Sequence, residues 1–266
     1  MLDRFNRNLN YLRISVTDRC NLRCSYCMPE EGIKLLRHED ILSFDEIAQF
    51  IYFAVKNGVT KVRITGGEPL VRKGIITLVR MISDINGITD LSMTTNGVLL
   101  KQFANNLKAA GLHRVNISLD TIDPEKFTAI TRIGNIHDVF EGIEAARGAE
   151  LLPVKINCVI RKSKGEVEAM GVTKYCKDNG LEIRYIRQMD LINGHFSRVD
   201  GGTGGDCALC NRLRLTANGK LKPCLFSDME FDIRQLGFEK AILLAAEMKP
   251  ECGSKNKTNE FYNIGG

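Results

Sequence analysis

Tryptophan is absent from the 266 residues, and aromatic side chains make up only 7% of them. The stacking platforms that carry single-stranded nucleic acid are therefore not expected. No basic tract or RNA-binding signature adds to such a case, so no nucleic-acid partner is expected. Long apolar runs are missing as well. Nothing approaches the roughly eighteen uninterrupted residues of a membrane span, and Met1-Leu-Asp-Arg-Phe-Asn-Arg7 lacks the apolar core of a secretory leader. The expectation is a soluble, cytoplasmic protein with no membrane partner. The net charge of +5 is compatible with a phosphate-bearing ligand and equally with a solvated surface, so it decides nothing alone.

Cysteine, by contrast, is plentiful, with nine in the chain. Without a leader these read as thiols in a reducing compartment rather than as a disulfide framework. Three of them form a C-x3-C-x2-C loop in Cys20-Asn-Leu-Arg-Cys24-Ser-Tyr-Cys27. A cubane iron–sulfur cluster normally takes one thiolate per iron, so three ligands leave one iron for something that is not protein. Zinc is the alternative, but it usually shows paired Cys-x2-Cys units or nearby histidines, which are missing here. A second triad is spaced Cys207-x2-Cys210-x13-Cys224, with Cys252 available to fold back as a fourth ligand. For this triad an auxiliary cluster and a structural zinc both stand. Cys158 and Cys176 read as small core residues.

From Tyr11 to Arg187 short β-rich runs alternate with amphipathic helices, the pattern of a parallel sheet built from βα units. Strands are predicted at Leu12 to Val16, Lys61 to Thr65, Asp90 to Met93, Arg114 to Ser118, Val154 to Ile160 and Glu182 to Ile186. Six units predict an α/β fold, an incomplete (β/α)6 TIM-like barrel over 1–190. Ser43 and Glu46 form a capping box for the first helix, whose stripe is Phe44, Ile47, Ile51, Ala54 and Val55, and Gly58 ends it. Residues 191–206 read as a glycine-rich linker. Residues 207–266 form a small cluster-bearing domain, with a hairpin turning at Asn218-Gly219 and a helix from about Ile233 to Met248.

In a parallel barrel, functional groups gather where the strands end. There the sequence places Thr17-Asp18-Arg19, Gly66-Gly67-Glu68-Pro69, Thr94-Thr95-Asn96-Gly97 and Ser118-Leu119-Asp120. Each alone is ordinary turn chemistry. Together, with the three-cysteine loop, Cys20-x3-Cys24-x2-Cys27 and Gly66-Gly67-Glu68-Pro69 resemble the radical S-adenosylmethionine enzymes. The resemblance implies that Cys20, Cys24 and Cys27 hold a [4Fe-4S] cluster whose open iron takes S-adenosylmethionine. It further implies that Gly66, Gly67 and Glu68 contact the methionine end, while Ser118 and the backbone around Tyr26 and Met189 hold the rest.

Leu12-Arg-Ile-Ser-Val-Thr-Asp-Arg-Cys20, Arg63-Ile-Thr-Gly-Gly-Glu-Pro69, Cys207-Ala-Leu-Cys-Asn-Arg-Leu-Arg214 and the terminal Gly265-Gly266 narrow the resemblance. They are similar to the GTP 3′,8-cyclase (MoaA) family of molybdenum-cofactor biosynthesis. That resemblance implies two [4Fe-4S] clusters, the second held by Cys207, Cys210 and Cys224, and GTP as substrate. Its substrate contacts would be Arg13, Arg63, Thr94, Lys155, Arg184, Arg212 and Arg214, with Gly265 and Gly266 reaching into the active site. Basic residues inside barrel strands are costly unless they meet an anion or a wet lumen, which agrees. The implied partners are an electron donor such as flavodoxin or ferredoxin and a downstream cyclic pyranopterin monophosphate synthase. The protein itself would be a monomer or homodimer.

The chain departs from the family pattern twice. The stretch from Met189 to Cys207 is short, which predicts a missing cavity wall, and Arg187 stands where the family carries glutamate. These departures bear on the base and leave open a different nucleotide or a peptide as substrate. A peptide-modifying enzyme would bring a winged helix or a cysteine-richer C-terminal region, neither of which is evident. A noncatalytic cluster sensor would need no basic lumen.

Overall fold

The computed structural model describes residues 1–264. Its sheet has the strand order β6-β5-β4-β3-β2-β1-β7-β8-β9. The strands β1 (Tyr11–Ser15), β2 (Lys61–Thr65), β3 (Asp90–Thr95), β4 (Arg114–Ser118), β5 (Lys155–Ile160) and β6 (Glu182–Arg187) pair in parallel with their neighbours in sequence. These are the six predicted strands, shifted at most by two residues at an end. On the other side of β1 lies β7 (Arg212–Leu215), also parallel. Beyond it β8 (Lys220–Lys222) and β9 (Phe231–Asp232) run antiparallel, turning through Gly219 at φ 83° as the predicted hairpin requires. The C-terminal cysteine region thus hangs on a strand that continues the barrel sheet.

Alternation along the strands sorts the sheet's two faces. Leu12, Ile14, Val62, Ile64, Leu91, Met93, Val115, Ile117, Ile156 and Cys158 are buried on the outer face, under the helices. Helix α1 (Phe44–Lys56) shows why these segments are helical. The Ser43 Oγ accepts from the Glu46 N–H at 3.1 Å, and the Glu46 carboxylate accepts from the Ser43 N–H at 2.7 Å, satisfying two orphan donors. The buried stripe is Ile47, Phe50, Ile51 and Ala54, with Phe44 and Val55 half-buried. Phe50, fully buried, contributes on the order of 3 kcal/mol of burial energy. Helices α2 (Ile75–Ser83), α3 (Leu100–Ala109), α4 (Pro124–Thr131), α5 (Ile136–Gly148) and α6 (Val167–Asp178) complete the outer layer. Cys158 and Cys176 lie in this core.

Two expectations change. The helix anticipated from Ile233 to Met248 is broken into α7 (Ile233–Leu236) and α8 (Phe238–Glu247). Gly237, at φ 81° and ψ 155°, takes a conformation that cannot propagate a helix. The glycine-rich stretch before Cys207 is more than a tether. Asp200 exchanges two backbone hydrogen bonds with Tyr185 on the free edge of β6, at 3.0 and 3.1 Å. Residues 196–205 then cross towards β7, where the Arg212 guanidinium donates to the Thr203 Oγ1 at 2.7 Å and carbonyl at 3.2 Å. Ser197, Val199 and Gly201 to Gly205 of this short strap line the central cavity on the side where the sequence predicts a missing wall.

Candidate active site

The inner face of the sheet borders a cavity of about 690 Å³, within the range of small-ligand sites. Cys20, Cys24 and Cys27 line it from one side and Cys207, Cys210 and Cys224 from another. Among the described residues no three such donors converge on a single-ion site. A cubane differs in taking one thiolate per iron, which holds its ligands apart.

The first triad is held by the strand ends. The Gly67 N–H donates to the Thr17 carbonyl at 2.7 Å and the Glu68 N–H to the Arg19 carbonyl at 2.8 Å, lacing the Gly66-Gly67-Glu68 loop to the approach of the cysteine loop. The approach is so close that a Cβ on Gly67 would sit 2.3 Å from the Arg19 carbonyl oxygen. Glu68 itself is fully buried and does not line the cavity. Its carboxylate accepts from the Leu70 N–H at 3.0 Å, the Thr95 hydroxyl at 2.8 Å and the Asn96 N–H at 2.7 Å. Burial nevertheless outweighs these bonds and raises its pKa from 4.5 to about 7. Asn96 then reaches back, its Nδ2 lying 2.8 Å from Asn21 Oδ1 and 3.8 Å from Cys20 Sγ.

Tyr26, between two of the cysteines, donates its hydroxyl to Asp120 Oδ2 at 2.8 Å. Asp120 Oδ1 accepts from the Val159 N–H at 2.8 Å, fastening the cysteine loop to the ends of β4 and β5. Burial raises the pKa values of Tyr26 and Asp120. Burial and then mutual repulsion push the thiols of Cys24, to about 12, and of Cys27 upward, so binding iron must displace their protons. The sequence puts Asn96 and Asp120 on the rim without marking either for these contacts. Their signal was the position of each at a strand end.

The lumen is basic. Strand register puts Arg214 opposite Arg13, Arg13 opposite Arg63, Arg63 opposite Ser92, and Ser92 opposite Arg114. Like charges directly opposite one another destabilise a sheet. Burial, followed by Arg214, lowers the Arg13 pKa well below the usual arginine range, and burial brings Arg63 to about 10. Arg114 is tied to Asp90 at 2.6 Å, which spends its charge locally. The Tyr11 ring lies between the guanidinium carbons of Arg63 and Arg212, at 5.4 and 5.6 Å from its centroid. Arg184 Nε, Thr94 Oγ1 and Tyr11 OH, on cavity-lining residues, are buried with no hydrogen-bond partner among the described residues. Such a wall suits a multiply charged, oxygen-rich anion.

Beside the second triad, Lys249 is buried and donates its ammonium to the Arg212 carbonyl at 2.8 Å and the Pro223 carbonyl at 2.5 Å. Burial pushes the Cys210 thiol up, but Lys249, Arg212 and Arg214 outweigh it and bring it down. For Cys224 burial prevails and the thiol is raised. Neither Lys249 nor Tyr11 lies in a sequence motif that marks it for the site.

A radical SAM superfamily profile matches residues 14–176. A GTP 3′,8-cyclase of Thermodesulfovibrio yellowstonii is 45% identical, with 89% of this chain and 88% of that protein covered. The chain belongs to the GTP 3′,8-cyclase family of radical SAM proteins. Another member, from Geobacter sulfurreducens, is 37% identical, covering 100% of this chain and 99% of its own. That alignment spans 324 positions against 266 residues here, so the relative carries residues with no counterpart in this chain. Among solved structures, Streptococcus suis SuiB bound to precursor peptide SuiA has a TM-score of 0.66 at 16% identity, covering 91% of this chain and 65% of that one. Methylornithine synthase has a TM-score of 0.56 at 14% identity, covering 76% and 61%. At these identities the two structures speak for the fold alone.

Set against the family expectation, Gly66, Gly67, Tyr26, Ser118 and Met189 line the cavity, as do Arg13, Arg63, Thr94, Arg184, Arg212 and Arg214. Lys155 does not. Its ammonium is bonded to the Glu182 carboxylate on the adjoining strand, a pairing the sequence gave no means to foresee. Arg187 borders the cavity at its rim, but its guanidinium donates to the Lys162 carbonyl at 2.8 Å. It alternates with Arg184 and Ile186 along β6 and so does not bring its charge into the lumen. Phe261 and Tyr262 of α9 (Phe261–Ile264) line the cavity, whereas Gly265 and Gly266 lie outside the described residues.

Proposed function

We propose that the protein is a GTP 3′,8-cyclase, joining ribose carbon 3′ of GTP to carbon 8 of guanine in the opening step of molybdenum-cofactor assembly. The observation that carries this reading is the arginine row Arg214, Arg13 and Arg63 across three adjacent strands, lying on one cavity with both cysteine triads. When bound, S-adenosylmethionine and the cluster supply a 5′-deoxyadenosyl radical that takes the ribose 3′ hydrogen.

The chain's own residues do the rest. Cys20, Cys24 and Cys27 fit three corners of the first cluster, and Gly66 and Gly67 leave room beside them for the methionine end. Glu68, buried behind that loop, holds it in place for the methionine end. Ser118, Tyr26 and Met189 border the remainder of the cofactor site. Arg13, Arg63, Arg184, Arg212, Arg214 and Thr94 receive the triphosphate, whose charge relieves the repulsion built into the row. Cys207, Cys210 and Cys224 fit a second cluster near the guanine, beside Lys249. Gly265 and Gly266 remain candidates for the active site on the family resemblance. An electron donor of the flavodoxin or ferredoxin class and a synthase that consumes the cyclised nucleotide complete the setting.

The test is anaerobic reconstitution followed by S-adenosylmethionine, reductant and GTP deuterated at ribose carbon 3′. Deuterium in 5′-deoxyadenosine together with a cyclised GTP isomer is the expected result. Unlabelled deoxyadenosine would assign another substrate, and none from a fully loaded protein would remove the enzymatic reading.

A further inference from the structure

The ninth cysteine is held against the second triad by a built contact. Arg7, buried and paired with Asp3 at 2.6 Å, donates from Nη1 to the Cys207 carbonyl and to the Glu251 carbonyl, both at 2.8 Å. Its Nη2 donates to the Pro250 carbonyl at 2.7 Å. One guanidinium therefore binds the backbone that precedes Cys252 to the backbone of Cys207. Gly253 continues the contact, since a Cβ there would stand 3.1 Å from Cys224 Sγ. The result is a Cys252 Sγ 3.1 Å from Cys207 Sγ.

Two sulfurs at that separation are too close to hold different corners of a cubane, whose thiolates bind separate irons. Cys207, Cys210 and Cys224 line the cavity, whereas Cys252 is exposed and lies outside its wall. Cys252 therefore sits beside the Cys207 thiol and off the cavity wall. We propose that Cys252 is a reserve thiolate for the Cys207 corner of the second cluster, leaving the cavity-facing iron open to substrate. Exchange is redox-neutral: as one sulfur leaves iron and takes up a proton, the other loses its proton and binds. The proposal rests on the assignment of a cluster to the second triad.

In a Cys20→Ala, Cys24→Ala, Cys27→Ala parent only the second site can take up a cluster. Iron content and the electron paramagnetic resonance of the reduced cluster are then measured after anaerobic reconstitution. Adding Cys207→Ser should leave at least about half of the parent's iron. Adding Cys207→Ser with Cys252→Ser, or Cys210→Ser alone, should leave less than about a tenth. Equal losses in Cys207→Ser and the Cys207→Ser, Cys252→Ser pair would overturn the proposal. GTP should shift the resonance of the parent and of its Cys252→Ser derivative alike. A shift seen only after Cys252 is removed would mean that Cys252 caps the open iron, and would also overturn it. A parent that binds zinc in place of iron would instead remove the second cluster, a separate failure.

Discussion

Arg212 and Arg214 are two residues apart on β7 and face the lumen together, so their joint truncation removes two cations from the proposed triphosphate site while leaving the first triad untouched. Arg212→Ala with Arg214→Ala should abolish GTP turnover, by at least about 100-fold, while slow reductive cleavage of S-adenosylmethionine persists. The check is product and deoxyadenosine measured in the same reaction, and undiminished GTP turnover would refute the substrate assignment. Glu68 carries a different signature. Its folded pKa of about 7 lies above the ordinary 4.5, so its contribution to stability is complete below about pH 4.5 and is lost as pH rises through about 7. The loss is on the order of 3 kcal/mol. Glu68→Gln should flatten the stability profile between those limits, as read by urea unfolding at a series of pH values. The cysteines and lumen arginines were legible because their chemistry is local to spacing and strand parity. The fates of Lys155 and Arg187 were not, because each is decided by a partner on another segment, Glu182 and the Lys162 carbonyl.

Where α5 meets the turn before α3, Gly142 allows a close backbone approach between the two elements. A Cβ there would lie 2.3 Å from the Gly97 carbonyl oxygen and 3.2 Å from Leu100 Cβ. Alanine would gain about 1 kcal/mol of helix propensity. The clash with backbone should outweigh it, since overpacking typically costs about 1–3 kcal/mol. Gly142→Ala is accordingly expected to lower stability, against the usual sign for an exposed helix glycine, and a higher melting temperature would refute the contact. Gly67→Ala meets the same obstacle at the Arg19 carbonyl, and should reduce iron loading of the first site as well as stability. The strands were readable because alternation, burial and turn residues agree at each of them. The role of 196–205 was not, since glycine-rich sequence signals only the absence of regular structure. What gives that segment its course is the unpaired edge of β6, a property of the sheet.

The whole molecule presents one concentrated positive interior. Inorganic triphosphate, which offers the charge of GTP without its base, should bind the metal-free protein and raise its melting temperature. At about 100 times its dissociation constant the gain is about 2.7 kcal/mol. The gain should shrink as salt rises and vanish in the Arg13→Ala, Arg63→Ala variant; an unchanged gain there would place the anion elsewhere.

The pairing of β1 with β7, flanked by the hydrogen bond from Asn211 Nδ2 to Asn10 Oδ1, joins segments 201 residues apart in the chain. A ribosome adding about 5–20 residues per second needs roughly 10–40 seconds to cover that distance. During this interval one edge of the first strand has no partner, and its backbone donors and acceptors invite foreign strands. A nascent chain halted near residue 190 would keep that edge open for as long as it persisted. The strand that closes the first one lies between Cys210 and Cys224, so the ligands of the second site are gathered only after the barrel around the first site has been synthesised.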